Sequence, residues 1–147
     1  MTDFMAAAKV VEEFEGFISH AQWDVNAFRL GFGSDTRWNG TADVPVRRGD
    51  VTTRSAALIN LQHRLPKYRD KIVSQVGQHQ WDALSVAVQS ALLSVAYNYG
   101  SLPDGVARAV QIGDAHAIAA AIRAHSHDNN GVNAHRRLAE AAMVMAA

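Results

Sequence analysis

Residues 14–36 read FEGFISHAQWDVNAFRLGFGSDT, and the character of the chain changes within them. Upstream, Met5, Ala8, Val11 and Phe14 recur at three-residue steps with Ala7 and Val10 beside them. That is the stripe of an amphipathic helix, with Thr2 or Asp3 as its cap. Gly16 ends it, as a glycine just past a last helical turn does. Downstream, residues 17–50 carry Gly31, Gly33, Gly40, Gly49 and Pro45, and the runs FRLGF and ADVPVRR partly alternate apolar and polar positions. These signals predict a small, irregular β-rich lobe of short strands. Glu15 thus stands where a helix gives way to a β lobe, with Asp24 nine residues on.

After Asp50 helix formers take over. Thr52 or Thr53 caps a helix whose apolar positions Ala57, Leu58, Leu61 and Leu65 lead to Pro66, which should kink or restart it before residues 68–76. The most apolar stretch, WDALSVAVQSALLSVAYNYG at 81–100, is apolar on almost every side and predicts a buried helix or broken helix pair. Helices are expected over 104–110 and 114–124, then a polar loop HSHDNNG, then a last helix over 132–145. The whole suggests one domain over 1–147, with a β-rich lobe at about 17–50, a helical lobe over 51–147, and a cleft between lobes as the place for a substrate.

The 147 residues are 48% hydrophobic and 19% charged, and the apolar runs are too short to span a bilayer. Fourteen basic residues balance fourteen acidic ones, so no overall field favours nucleic acid or anionic lipid. There is no cysteine, hence neither a disulfide nor a thiolate metal site. The N-terminus lacks a positive region before its apolar residues and carries Glu12 and Glu13 where a cleavage site would stand, so no signal peptide is read. No nucleotide-binding glycine motif or nucleophile elbow occurs. His125, His127 and Asp128 lack a third ligand at a diagnostic spacing and are taken as surface residues; no metal or organic cofactor is expected. Trp23 and Trp81 are expected in packing roles rather than as sugar platforms; Trp38 is the exception, its place in the polar stretch DTRWNGT suggesting partial exposure.

A glutamate at a helix end beside aromatic residues can be desolvated enough to donate a proton near neutrality, while a wetter second carboxylate stays ionised. Glu15 and Asp24 fit that division, which is what cleavage of a glycosidic bond needs. Spacing alone favours the blander reading, a solvated helix face and a turn aspartate, because acids nine residues apart are common.

The surrounding text adds to this. Glu15-Gly16, Trp23-Asp24 and Leu30-Gly31-Phe32-Gly33, followed by QWDALSVAVQSALLSVAYNYGSLP and GVNAHRRLAEAAM, resemble in order the phage-type lysozymes of glycoside hydrolase family 24. The resemblance implies an α+β, lysozyme-like fold and cleavage of the β-1,4 bond between N-acetylmuramic acid and N-acetylglucosamine in peptidoglycan. It places the catalytic acid on Glu15 and the catalytic aspartate on Asp24. Three departures accompany it: Arg29 stands at the position of the threonine that helps hold the attacking water, the preceding loop is one residue shorter, and Ser34 replaces the usual histidine. Asp35 is a further acid for the cleft, Thr36 a substitute hydroxyl, and Phe32 a supporting residue of the hairpin.

Asn98 and Tyr97 or Tyr99 are candidates for sugar contacts, although Gly100 and Pro103 also mark a helix end. Arg136 or Arg137 is expected against Glu15, an effect opposed to desolvation; the alternative is a solvated pair near Glu140. Two other readings stay open: a lytic transglycosylase using Glu15 alone to form a 1,6-anhydro sugar, and a noncatalytic glycan-binding module. The expected partner is a peptidoglycan strand, with no nucleic acid, no membrane insertion and a monomeric state. The expected setting is a host cytoplasm from which the protein reaches the wall after release, or a virion.

Overall fold

The computed structural model describes residues 1–147. Helix α1 spans Phe4–Phe14; strands β1 (Ile18–Asp24), β2 (Ala27–Gly31), β3 (Thr36–Trp38) and β4 (Asp43–Pro45) follow. Then come helices α2 (Arg54–Val76), α3 (Gln78–Asp82), α4 (Val86–Tyr99), α5 (Asp104–Ile112) and α6 (Ala115–Arg123), a 3-10 turn (Asp128–Gly131) and α7 (Ala134–Ala146). The fold is α+β and mostly helical, as expected. Val11–Arg64 form one compact unit; Met1–Val10 together with Leu65–Ala147 form another.

In the first of these units the β signals resolve into two antiparallel hairpins. β1 and β2 pair with Asp24 opposite Ala27, Trp23 opposite Phe28 and Ile18 opposite Gly31, with a bulge between Ile18 and Gln22. Only Val25 and Asn26 turn the chain, and Val25 is left-handed at φ 55°. A two-residue hairpin loop with positive φ at its first position favours glycine there, and a β-branched side chain is strained. Val25→Gly should therefore raise stability by about 0.5–1 kcal/mol, after the entropy cost of glycine, and a thermal melt would register the gain. In the second hairpin Thr36 pairs with Pro45 and Trp38 with Asp43. Asn60 of α2 fastens it: its side chain accepts from Trp38 N at 2.8 Å and donates to Thr36 O at 3.1 Å.

Thr53 caps α2, its hydroxyl accepting from Ala56 N at 3.2 Å. Gly31 at φ 65° lets β2 lie against that helix, since a Cβ there would meet Ala57 Cβ at 2.9 Å. Phe32 is buried and packs its ring on Phe17 at 5.6 Å, with the Arg54 guanidinium over both rings. Trp23 departs from the expected packing role. It is 62% exposed near the hairpin tip, edge-on to Phe28, its partner across the hairpin, in a stretch of β1 where Gln22, Trp23 and Asp24 are all exposed.

The other unit is built around α4, whose residues from Val88 to Ala96 are all buried. Ser85 caps it and left-handed Gly100 ends it, so the apolar 81–100 stretch is a broken helix pair, α3 and α4. Helix α7 packs on α4 and α6, and α5 on α6. Trp81 is fully buried, its indole N–H donating to Thr2 Oγ1 at 3.0 Å. Of the two outcomes expected at Pro66, a kink or a restart, the restart does not occur: α2 continues through it to Val76. Proline removes one N–H, and the buried side chains Leu65, Tyr68, Ile72 and Val76 favour keeping the following turns helical.

Candidate active site

Glu15 follows the last residue of α1, its backbone N–H still bonded to Val11 O at 3.0 Å, so the helix fixes where its side chain starts. The carboxylate lies at the turn after β2: Oε2 is 3.5 Å from where a Cβ on Gly33 would be. Gly33, at φ 78°, holds a conformation that suits glycine and leaves the space over the turn to the acid. Its carbonyl accepts from Arg29 Nη1 at 3.4 Å. Arg29 also reaches the hairpin tip, with Nε 3.7 Å from Asp24 Oδ2. Asp24, Arg29, Gly33 and Glu15 are therefore consecutive neighbours in space, although the two acids lie on different elements.

Asp35 and Thr36 have a different anchor. The nearly buried Arg64 of α2 donates through Nη1 to Asp35 Oδ1 at 3.1 Å and to the Thr36 hydroxyl. Burial pushes the Asp35 carboxyl up, but the charge and hydrogen bond of Arg64, with the charge of Arg29, hold it below its ordinary value of 3.8. A carboxylate lowered on folding adds stability that is fully present above its unfolded value and lost as pH falls through the folded one. Urea midpoints at about pH 5 and about pH 3 should therefore differ more in the wild type than in Asp35→Asn. Equal acid sensitivity in the two proteins would remove this role for the pair.

The remaining expected site residues lie at the end of α4 and on α7. Arg136 and Arg137 are buried, not solvated, and both face the buried Glu140. Arg137 Nη2 donates to Glu140 Oε2 at 3.0 Å and Nη1 to Asn98 Oδ1 at 3.1 Å. Arg136 donates to the hydroxyl and carbonyl of Ser94 at 3.2 and 2.9 Å and lies 3.4 Å from Glu140. Burial pushes the Glu140 carboxyl up, against Arg137, Ser94 and Arg136, which pull it down. Tyr99 is partly exposed; its hydroxyl donates to Asp128 at 2.7 Å and the Arg137 guanidinium lies over its ring. His125 meets the same Asp128 oxygen at 2.7 Å, tying the polar loop to the end of α4. No group of three His, Asp or Glu side chains suited to a metal gathers in the chain.

The model of the family described as phage lysozyme matches residues 12–140, a span that includes Glu15, Asp24 and the buried arginines. The chain belongs to the phage lysozyme family. Among solved structures this phage lysozyme is similar to a P22 lysozyme mutant, with TM-score 0.78 and 21% identity over 99% of each chain. It is also similar to the muramidase domain of SpmX from Asticaccaulis excentricus, with TM-score 0.76 and 19% identity over 99% of each chain. An endolysin from Escherichia coli O157:H7 phage FAHEc1 aligns with TM-score 0.71 and 20% identity over 95% of this chain and 90% of the other. At these identities the likeness is one of fold. No curated protein matches the chain.

Sequence reasoning missed two parts of this phage lysozyme. Arg64 carried no signal, since an arginine directly before Leu65, the last position of the apolar stripe, reads as a solvent-facing residue. The second is a pocket of about 380 Å³ in the unit of the hairpins, walled by Trp38, Thr52, Thr53 and Asn60 over Leu30 and Ala57, with neither Glu15 nor Asp24 in its lining. Trp38 also stacks on the His63 ring, centroids 4.1 Å apart and nearly parallel.

Proposed function

We infer that this phage lysozyme is a muramidase that cleaves the β-1,4 bond between N-acetylmuramic acid and N-acetylglucosamine, with Glu15 delivering the proton to the leaving oxygen. As a family member it is a peptidoglycan-degrading glycoside hydrolase. The observation supporting Glu15 is its seat: the end of α1 presents the carboxylate to a glycine turn whose conformation leaves room for it. Protonation of the glycosidic oxygen lets the C1–O4 bond break as positive charge builds on the muramic ring. Asp24, exposed at the hairpin tip, is the carboxylate assigned to stabilise that charge or to assist water.

Asn98 and Tyr99 are assigned to the glycan, with Arg137 orienting the Asn98 amide and Arg136 bracing α4 through Ser94. Arg64 keeps Asp35 and Thr36 in place beside the hairpin, and Phe32 packs beneath it. The chain acts as a single lysozyme-like monomer on the cell wall, either as a free endolysin or within a virion. No helix is long and apolar enough to cross a membrane. Release of soluble muropeptides from purified peptidoglycan, identified by mass spectrometry, tests the assignment. A folded protein that releases none would overturn it.

A further inference from the structure

We propose that the Trp23 face of the β1–β2 hairpin, with the turn of residues 47–50 beside it, is a docking surface for the stem peptides of peptidoglycan, the short acidic, alanine-containing chains carried by the muramic sugars. The inference rests on the reading of the chain as an enzyme of peptidoglycan, and the surface includes neither Glu15 nor Asp24.

Trp23 and Phe28 stand opposite one another in the hairpin, their rings in edge contact at 5.2 Å. Directly paired side chains share a face and the next pair points the other way, so Asp24, with Ala27 opposite and Arg29 near by, belongs to the reverse side. Arg48 extends the aromatic pair into a row of three, its guanidinium 5.7 Å from the centre of the Phe28 ring.

A pinned turn puts Arg48 there. Asp50 N–H donates to Arg47 O at 3.1 Å, Asp50 Oδ2 accepts from Arg47 N at 2.8 Å, and Gly49 supplies the left-handed φ of 86° at the third position. Ala21 N–H donates to Asp50 O at 2.8 Å, which fastens the turn to β1. Two adjacent arginines are thus carried beside the aromatic pair.

Two features of this surface serve nothing within the fold. The other arginines of the same unit, Arg29, Arg37, Arg54 and Arg64, each lie within 3.8 Å of a carboxylate, whereas the exposed Arg47 and Arg48 have none. Val25 at the tip is 88% exposed and holds a conformation that a β-branched residue adopts at a cost, so it neither fills a core nor eases the turn. An exposed indole, an exposed valine and two unpaired cations suit a ligand with small apolar groups and carboxylates.

Stem peptides offer both. A lipid surface is the poorer fit, because two cations and one indole fall short of a stable membrane anchor, and the carboxylates of Asp24 and Asp50 lie in the same hairpin and turn. A single contact of this kind is weak in isolation. Once the chain is engaged at Glu15 on the same polymer, the second contact becomes intramolecular and its effective concentration rises.

Sedimentation of the Glu15→Gln protein with purified insoluble peptidoglycan, and with the same material stripped of its peptides by an amidase, tests the surface. Intact wall should be bound about tenfold more tightly than stripped glycan. Adding Arg47→Gln and Arg48→Gln together should abolish the difference, and the corresponding pair of lysines should keep most of it. Val25→Gly separates docking from folding, since it should weaken binding to intact wall about threefold while raising the thermal midpoint. Equal binding to both preparations, or a difference that survives the double substitution to glutamine, would overturn the inference. So would tighter binding to vesicles containing phosphatidylglycerol than to intact wall. Each of these results leaves the muramidase reading standing if the wild type releases muropeptides; no release would remove that reading, and the binding difference would then decide the surface alone.

Discussion

Glu15→Gln should lower peptidoglycan cleavage by about 10²–10⁴-fold, the usual contribution of a general acid, while leaving the thermal midpoint nearly unchanged. The amide matches the carboxyl in size, so its packing over Gly33 survives. The backbone bond from residue 15 to Val11 O is untouched, because it involves no side-chain atom. What is lost is a proton that can leave. The turbidity of a cell-wall suspension gives the rate and circular dichroism gives the midpoint. Undiminished clearing would assign proton delivery to another group, whereas a fall in midpoint matching the fall in rate would make Glu15 a structural residue.

Glu140→Ala should cost about 3–5 kcal/mol, the penalty for leaving buried charge without its partner. For a chain of this size that is roughly 10–15 °C in thermal midpoint. Glu140 is completely buried, with Arg137 Nε 2.5 Å and Arg136 Nε 3.4 Å from its oxygens. The intact triad need add little net stability, since burial itself pushes the Glu140 carboxyl up. Removing one member is a different matter: two guanidinium groups then lack their carboxylate where water does not reach. Loss of Glu140 should also loosen Arg137 from Asn98, so activity should fall further than unfolding alone explains. A midpoint within about 2 °C of wild type would mean that the arginines regain water or another acceptor.

The two residues behind these predictions were not equally legible. Glu15 announced itself through the helix stripe that ends before it, the Gly16 after it and the LGFG run, all local features that survive in one dimension. The helices of the α4 to α7 region and the hairpin lobe were readable for the same reason: periodicity, caps and glycines are written within a few residues. Arg136, Arg137 and Glu140 have the spacing of an exposed helical ion pair, and that spacing is equally that of a buried one. What decides between them is Ser94, 42 residues away from Arg136 in sequence, on the helix against which α7 packs. The Arg64 link to Asp35 spans 29 residues and was hidden likewise. A restart at Pro66 does not follow because the proline rule describes a local cost, and the buried side chains after it outweigh one missing hydrogen bond.

The three indoles occupy three optical environments. Trp81, sealed and hydrogen-bonded to Thr2, should emit at short wavelength and resist collisional quenchers. Trp38 lies under an imidazole, a contact that drains its excited state. Trp23, beside Asp24 and open to solvent, should emit at long wavelength and be reached by iodide. The native chain thus carries its own spectroscopic labels, one on the β1–β2 hairpin and another on the anchorage of the N-terminus, and events at either place can be followed without attaching a dye.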